Sequence, residues 1–165
     1  MVVFDTSTLI SLAKIELLED ICKEVEIWIT PEVEKEATRK KEFFDARFIK
    51  RLIQEGKIKI VKIEREKARK LKKEFPLGER ECTSLVLAWE NKTALATDDG
   101  PTIKVAKICG IPFVTALHFL LRAYEKGLLS KEVALWKLRR LEKVGRYNST
   151  IIQRVRSKIS EEGEK

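Results

Sequence analysis

The sequence predicts an α/β domain in which a central, mostly parallel sheet is covered by helices on both faces, a three-layer α/β/α arrangement. Short apolar segments rich in β-branched residues alternate with amphipathic segments of helical period along most of the chain. This alternation is typical of βαβ units, which build parallel sheets. The length of 165 residues and a hydrophobic content of 44% suffice for one domain with a buried core.

The predicted strands are short, and turn-forming or polar residues bound them. In order they are VVFD (2–5), VEIWIT (25–30), IKIVKI (58–63), TALAT (93–97) and IPFVT (111–115). The first strand closes on Asp5, and the fourth is followed directly by Asp98 and Asp99.

The predicted helices lie between these strands and have apolar positions three and four residues apart. Thr30 is a typical N-cap before Pro31 at the first helical position, and Pro76 ends a very polar helix. The helical segments cover 8–23, 30–40, 43–57, 64–75, 78–92, 102–110 and 116–130. The chain from 131 onward is helical and basic, so we divide it into a domain at 1–130 and a C-terminal extension at 131–165.

Composition excludes several classes of protein. No apolar segment approaches the length of a membrane span, and the N-terminus lacks the features of a signal peptide, so a cytoplasmic, soluble protein is expected. Charged residues make up 36% of the chain, and the net charge is +8. The scarcity of Asn, Gln and Met beside many Lys and Glu is typical of hyperthermophile proteins.

Cysteine and histidine chemistry has little basis in this chain. Cys22, Cys82 and Cys109 are scattered, which argues against a disulfide framework and a zinc site, and we expect them to be small core residues. The single histidine, His118, lies in ALHFLL and is expected to pack within a helix rather than to act in catalysis. The absence of a GxxxxGK[ST] loop argues against nucleotide hydrolysis.

Acidic residues follow two of the predicted strands. Ligands of parallel α/β sheets bind beyond the carboxyl ends of the strands, where Asp5, Asp98 and Asp99 would emerge together. Two carboxylates about 4 Å apart repel by about 4 kcal/mol at an effective dielectric of 20, so solvent or a cation must offset the repulsion. Alternatively, Asp-Asp-Gly-Pro is simply a solvated turn.

Two predicted helices offer further acids for the same edge. Glu36 shares a helix face with Val33, and Glu81 shares one with Leu85, because positions three and four apart are neighbours. Both glutamates therefore lie on the stripes that face the sheet. Glu79 stands at a helix start, where an acid often only complements the helix dipole.

These motifs resemble those of PIN-domain proteins, the nuclease fold of the toxins in toxin–antitoxin pairs. The matching pieces are VFDTSTLI (3–10), TPEVEKE (30–36), LGERECTSLVLA (77–88) and ATDD (96–99), in the family's order. GIPFVTALHFLLRAYEKGLL (110–129) also resembles one prokaryotic subgroup. The resemblance covers about residues 1–130.

The resemblance implies a set of catalytic and metal-binding residues. The fourth acid is Asp98 or Asp99, and a Thr-x-Asp pattern favours Asp99. Many toxins carry Asp at the mid-chain position, where this chain has the longer Glu81. The implied metal ligands and water-positioning acids are Asp5, Glu36, Glu81 and Asp98 or Asp99, with Glu79 as the extra acid of a GExE subgroup and with Ser7 and Thr97 at the family's small polar positions.

The implied activity is that of an endoribonuclease that depends on Mg²⁺ or Mn²⁺. Hard oxygen ligands suit these ions, which activate water and neutralise charge on a phosphodiester. The resemblance also implies an RNA substrate, a homodimer and an antitoxin as a possible partner. One alternative is a catalytically silent PIN domain that binds RNA or protein; another, a phosphatase, lacks a recognisable Asp-x-Asp nucleophile motif.

The segment 137–158 carries eight basic residues against the single acid Glu142. Such a segment attracts RNA phosphates, and Tyr147 within it is a candidate for base stacking, although the charges would also suit plain solvated helix faces. A second basic stretch lies at 38–51. Apolar positions at 135, 136, 138 and 141 predict docking on the domain or on another copy, and the apolar face at 116–136 predicts a homodimer. The candidate RNA-binding residues are Arg139, Arg140, Lys143, Arg146, Arg154 and Arg156.

Overall fold

A computed structural model describes residues 1–162 of the chain, without the side chain of the last of them. In these residues a five-stranded sheet has the order β3-β2-β1-β4-β5, and every neighbouring pair is parallel. The predicted α/β/α fold is confirmed, and its sheet is parallel throughout. The strands are β1 (Val2–Phe4), β2 (Ile27–Ile29), β3 (Ile58–Ile60), β4 (Leu95–Ala96) and β5 (Phe113–Val114).

Ten helices occur in the described part of the chain. Thr30 accepts a hydrogen bond from the Val33 N–H at 3.3 Å, and Pro31 is the first helical residue, as predicted. The helices are α1 (Thr6–Lys14), α2 (Leu18–Glu24), α3 (Pro31–Thr38), α4 (Phe44–Gln54), α5 (Arg65–Glu74), α6 (Glu79–Glu90), α7 (Gly100–Ile108), α8 (Ala116–Glu125), α9 (Lys131–Val144) and α10 (Ser149–Glu162).

The sheet separates two hydrophobic cores because successive strand residues face opposite sides. In β1, Val3 packs with the residues of α5, α6 and α7, whereas Phe4 packs with α1, α3, α4, α8, α9 and α10. Leu95 and Ala96 of β4 divide in the same way. The hydrophobic effect therefore fixes which face of the sheet each helix covers.

The helix predicted at 8–23 is in fact two helices, because the chain turns at residues 15–17. Glu16 takes a positive φ of 58°, and the carbonyls of Ile15 and Glu16 accept hydrogen bonds from Lys137 Nζ at 2.8 and 3.1 Å. Ile15 and Leu17 are both fully buried. The turn lets both apolar side chains reach the core, and a buried cation from α9 satisfies the freed carbonyls.

The basic C-terminal segment packs on the domain rather than extending from it. Leu138 and Leu141 of α9 and Ile152 of α10 are buried in the same core as Phe4, as the docking prediction expected for α9. Trp136 is an exception, since it is 49% exposed. The chain leaves the helical conformation at 145–148, so the segment is two helices. The division of the chain at residue 130 stays a prediction, and residues 163–165 of the predicted extension lie outside the described residues.

Burial differs from the sequence prediction at three residues. Cys82 is fully buried, but Cys22 and Cys109 are only half-buried and pack at the margins of the two cores. His118 is exposed on α8, because the opposite face of that helix carries the buried Leu117 and Leu120.

No helix in the described part of the chain is long and apolar enough to cross a membrane. The cytoplasmic location stays a prediction.

Candidate active site

The order of the strands brings two distant acidic motifs together. β1 and β4 are neighbours, with Phe4 paired to Ala96, and strand order reverses between them. Asp5 and the segment 97–99 therefore leave adjacent strands at the same edge of the sheet. This reversal point is where open α/β sheets form their ligand crevices.

Asp5 is a buried carboxylate at this crevice, with only 2% of its surface exposed. Its Oδ1 accepts the Thr6 N–H at 2.8 Å and so caps α1, and its Oδ2 accepts the Thr97 hydroxyl at 3.1 Å. Burial raises the pKa of Asp5 from 3.8 to about 6, and the negative charges of Glu81 and Asp99 add to the increase against the effect of both hydrogen bonds. Asp5 thus has two acidic neighbours and little solvent.

Thr97 links the two strand ends. Its side chain is fully buried, and its hydroxyl donates to Asp5 while it accepts the Asp99 N–H at 3.2 Å. Ser7 makes a similar link, since its hydroxyl oxygen accepts the Asp98 N–H at 3.0 Å. Both predicted small polar residues therefore contact the loop that follows β4.

Asp98 and Asp99 point to different partners. Asp98 Oδ2 accepts the Thr8 hydroxyl at 2.7 Å, and Asp98 Oδ1 accepts the N–H of Ala116, the first residue of α8, at 3.1 Å. Asp99 Oδ2 accepts the Thr102 N–H and hydroxyl, at 3.1 and 2.6 Å, and so caps α7. Of the two, only Asp99 raises the pKa of Asp5. The contacts favour Asp99 as the fourth acid and give Asp98 a role in anchoring α8.

Tyr147 lies against Asp98 and is not a free stacking surface. Its ring packs so closely on Gly145 that a Cβ there would overlap with it. Burial first, and then the charge of Asp98, raise the pKa of the Tyr147 phenol. The hydroxyl oxygen is buried without a hydrogen-bond partner of good geometry. The link between α9 and α10 therefore reaches the acidic edge of the sheet, and the prediction of base stacking by Tyr147 is not supported.

Glu81 is held at the first turn of α6 beside Arg80. Glu81 is 9% exposed; its Oε1 lies 3.2 Å from Arg80 Nε, and its Oε2 is buried without a partner. The second contact of Arg80 is with Glu36, whose Oε2 lies 3.7 Å from the guanidinium. Arg39 approaches the same Glu36 oxygen at 3.7 Å. One arginine thus connects the acids of α3 and α6.

Glu79 is exposed at the first position of α6. It lines a groove of about 570 Å³ together with Glu36, Arg39, Arg65 and Arg80. The crevice acid Asp5 does not line this groove. Glu36 and Glu79 are therefore on the solvent side of the candidate site, while Asp5 and Glu81 form its buried side.

Several residues that hold the site in place were missed by the sequence reasoning. The hydroxyl of Thr83 lies 3.0 Å from that of the predicted N-cap Thr30 in the interior and ties α6 to the start of α3. Thr8 and Thr102 bind the two aspartates of the loop. The sequence does mark Arg80, because it is the only cation within GERE (78–81). It does not reveal the two partners of Arg80, which lie on different helices.

The donor set fits Mg²⁺ or Mn²⁺, because every acid of the site offers carboxylate oxygens and Glu81 Oε2 is available. As arranged, no three Asp, Glu, His or Cys side chains of the described residues are grouped so that they could hold a metal ion. Arg80 lies between Glu36 and Glu81 in this arrangement.

A comparison with protein families decides the class of this fold. A family model described as a PIN domain matches residues 1–161. The chain belongs to the PIN-domain family. PIN domains are generally nucleases and typically use divalent metals, which agrees with an acidic crevice of oxygen donors. No curated protein matches the chain.

The predicted RNA-binding residues of the PIN chain lie mostly in solvent. Arg140 and Arg156 have acidic partners, Glu16 at 3.7 Å and Glu142 at 3.1 Å, and the Arg140 guanidinium also stacks over Trp136. Lys137 does not belong to this surface, because it is buried under α1, and burial lowers its pKa. The exposed members are Arg139, Lys143, Arg146 and Arg154.

In metal-free buffer, the free energy of unfolding of Asp5→Asn should exceed that of the parent by an amount that grows as pH rises. The pKa of Asp5 is raised from 3.8 to about 6, so the protonated form stabilises the fold below pH 4, and this contribution is lost as pH rises through 6. Asn cannot ionise, so the variant's relative gain between pH 4 and pH 8 should approach about 3 kcal/mol. Urea unfolding in EDTA at both pH values measures this gain, and Asp20→Asn is the control, because the Asp20 side chain is half-buried at 46% exposure and lies outside the site. Equal pH dependence in parent and Asp5→Asn would contradict the assignment.

Replacement of Gly78 by Ala should weaken metal binding and leave the protein folded. A Cβ at Gly78 would overlap with Glu81 Oε2 and push the carboxylate aside, while the backbone conformation suits Ala. We expect Mn²⁺ affinity to fall by about tenfold, and the free energy of unfolding to fall by no more than about 1 kcal/mol, because Ala is a poorer N-cap of α6 than Gly. Calorimetric titration with Mn²⁺ tests this. Gly100→Ala is the matched control, since nothing lies within 4 Å of its added Cβ; equal affinities of the two variants would disprove the role of Gly78.

Proposed function

We propose that this PIN-domain protein is an endoribonuclease that depends on Mg²⁺ or Mn²⁺. The observation that carries the proposal is the buried carboxylate of Asp5, which accepts the same Thr97 hydroxyl that receives the Asp99 N–H. Burial, and then the charges of Glu81 and Asp99, raise its pKa. A divalent cation is the natural counter-charge for such a group of oxygen donors. RNA is the proposed substrate because PIN domains suggest it and because the net charge is +8.

Each acid has a proposed role that follows from its position. Asp5, Glu81 and Asp99 hold the divalent ion from the buried side, and Glu36 orients water from the groove. A bound divalent cation lowers the pKa of water and neutralises charge on the phosphodiester. Asp98 supports the site through α8. Thr97 and Ser7 hold the loop after β4 against the end of β1. Glu79 is the extra acid that lines the groove.

A toxin of a toxin–antitoxin pair is the more specific form of this proposal. It rests on the resemblance of four acidic motifs to those of the toxins. A small DNA-binding protein encoded next to this chain, whose addition abolishes RNA cleavage, would support it; an unpaired gene would argue against it.

Cleavage of a labelled single-stranded RNA in Mn²⁺ and in EDTA tests the proposed activity. Asp99→Asn should lower the Mn²⁺-dependent rate by more than about 100-fold, since a ligand is lost. Asn is a good N-cap, so α7 should remain folded. Asp20→Asn serves as the control for a surface acid. Cleavage that persists in EDTA or in Asp99→Asn would refute the mechanism, and RNA binding without any cleavage would favour a silent binding module.

The basic surface of α9 and the following turn is proposed to contact RNA phosphates. Replacement of Arg139, Arg140 and Arg146 by Ala should then flatten the slope of log K against log salt by about 2, since each single-strand phosphate contact contributes about −0.7. Fluorescence anisotropy at several salt concentrations measures the slope. A control variant removes three exposed lysines near α5–α7, Lys70, Lys92 and Lys104. If both variants give the same slope, the C-terminal surface does not bind RNA.

A homodimer is proposed from a smaller apolar surface than the sequence suggested. Most apolar residues of α8 are buried within the chain, but Leu128, Val133 and Trp136 are 45%, 42% and 49% exposed near the turn between α8 and α9. Light scattering at micromolar concentration should give twice the mass of the chain, and Trp136→Lys should return it to the monomer. A parent that is already monomeric would rule the dimer out.

A further inference from the structure

Arg80 is the one cation that joins the two helices of the candidate metal site among the ion pairs of the described residues. Its Nε lies 3.2 Å from Glu81 on α6, and its terminal nitrogen lies 3.7 Å from Glu36 on α3. The guanidinium therefore occupies the space between two acids that are proposed to serve the divalent ion. A guanidinium is always charged at physiological pH and suits carboxylates and phosphates equally well.

Arg80 occupies carboxylate oxygens that a divalent ion at this site would need. Glu81 has one oxygen on Arg80 and the other buried without a partner, so half of its donor capacity is already used. A divalent ion that draws on both Glu36 and Glu81 would lie close to the guanidinium. Like charges at such short distance repel strongly in a partly buried site, so the two cations compete.

The groove beside Glu36 offers the Arg80 side chain a second position. Its side chain is 42% exposed and lines the groove of about 570 Å³ beside Arg39 and Arg65. An RNA strand that enters this groove presents phosphates to the same side chain. Arginine binds phosphate by bidentate hydrogen bonds of the kind it makes with carboxylates.

We propose that Arg80 is a switch between the acids and the substrate: it pairs with Glu36 and Glu81 when the divalent ion is absent and moves to an RNA phosphate when the ion binds. Metal and RNA consequently bind with positive cooperativity. The inference rests on the proposed function, since it assigns a residue to the same site. Arg80 is a substrate-binding residue here, and its effect on the metal is exerted through Glu36 and Glu81.

Metal binding measured with and without RNA tests the switch. The ion is Mn²⁺, followed by calorimetry, and the RNA probe is a short 2′-O-methyl oligomer, which keeps every phosphate and is checked by gel to be intact. In the parent, a saturating oligomer should tighten Mn²⁺ binding at least about fivefold, and Mn²⁺ should tighten oligomer binding by the same factor, because coupling free energies are reciprocal.

Two variants separate the switch from a general charge effect. Arg80→Gln should bind Mn²⁺ more tightly than the parent without RNA, and its coupling factor should fall clearly below the parent's, to the part that comes from the attraction between the ion and phosphate. Arg39→Gln is the matched control, because Arg39 contacts Glu36 at the same 3.7 Å distance in the groove but has no contact with Glu81; it should keep the parent's coupling. Circular dichroism checks that both variants are folded.

The outcomes also separate this inference from the proposed function. Unchanged or weaker Mn²⁺ binding in Arg80→Gln, or a coupling factor equal to the parent's, would overturn the switch even if the parent cleaves RNA. A parent that binds Mn²⁺ and the oligomer cooperatively but cleaves no RNA would refute the nuclease and leave the switch supported, provided that the coupling is reduced in Arg80→Gln. A parent that binds no Mn²⁺ would overturn both.

Discussion

The candidate site depends on the way an all-parallel sheet orients its helices. Every strand here runs in the same direction, so the helices that follow β1, β2, β4 and β5 all begin at one edge. The positive ends of their dipoles and their free N–H groups converge there. Asp5, Asp98 and Asp99 each accept a backbone N–H from the start of a different helix. The edge can therefore collect acids that would otherwise repel one another, although burial, and then the charges of Glu81 and Asp99, still raise the pKa of Asp5.

The sequence predicted those features of the fold that depend on local pattern. The five strands follow from short β-branched segments, and the start of α3 follows from Thr30 and Pro31, because capping involves only neighbouring residues. The nearness of Asp5 to the acids after β4 followed from the general rule for parallel sheets. None of these inferences required a contact between remote side chains.

The features that the sequence could not predict depend on distant partners. The break between α1 and α2 involves Lys137, which lies 122 positions along the chain from Ile15. The contacts that give Asp98 its anchoring role come from Thr8 and Ala116, which lie 90 and 18 positions away in the sequence. Arg80 looks like an ordinary surface charge until α3 and α6 are placed side by side. In each case the decisive partner is set by tertiary packing, which no local pattern records.

The division between Asp98 and Asp99 has a consequence for how such chains evolve. Asp98 ties the loop after β4 to α1 and to the start of α8, so selection for a stable fold alone would preserve it. One carboxylate oxygen of Asp99 caps α7, and Asn or Ser would cap this helix as well. The link between the Asp99 carboxylate and Asp5 is one of charge alone. A descendant that had lost its catalytic activity would therefore keep Asp98 and accumulate substitutions at position 99. The second position is then the one that distinguishes retained activity from mere ancestry.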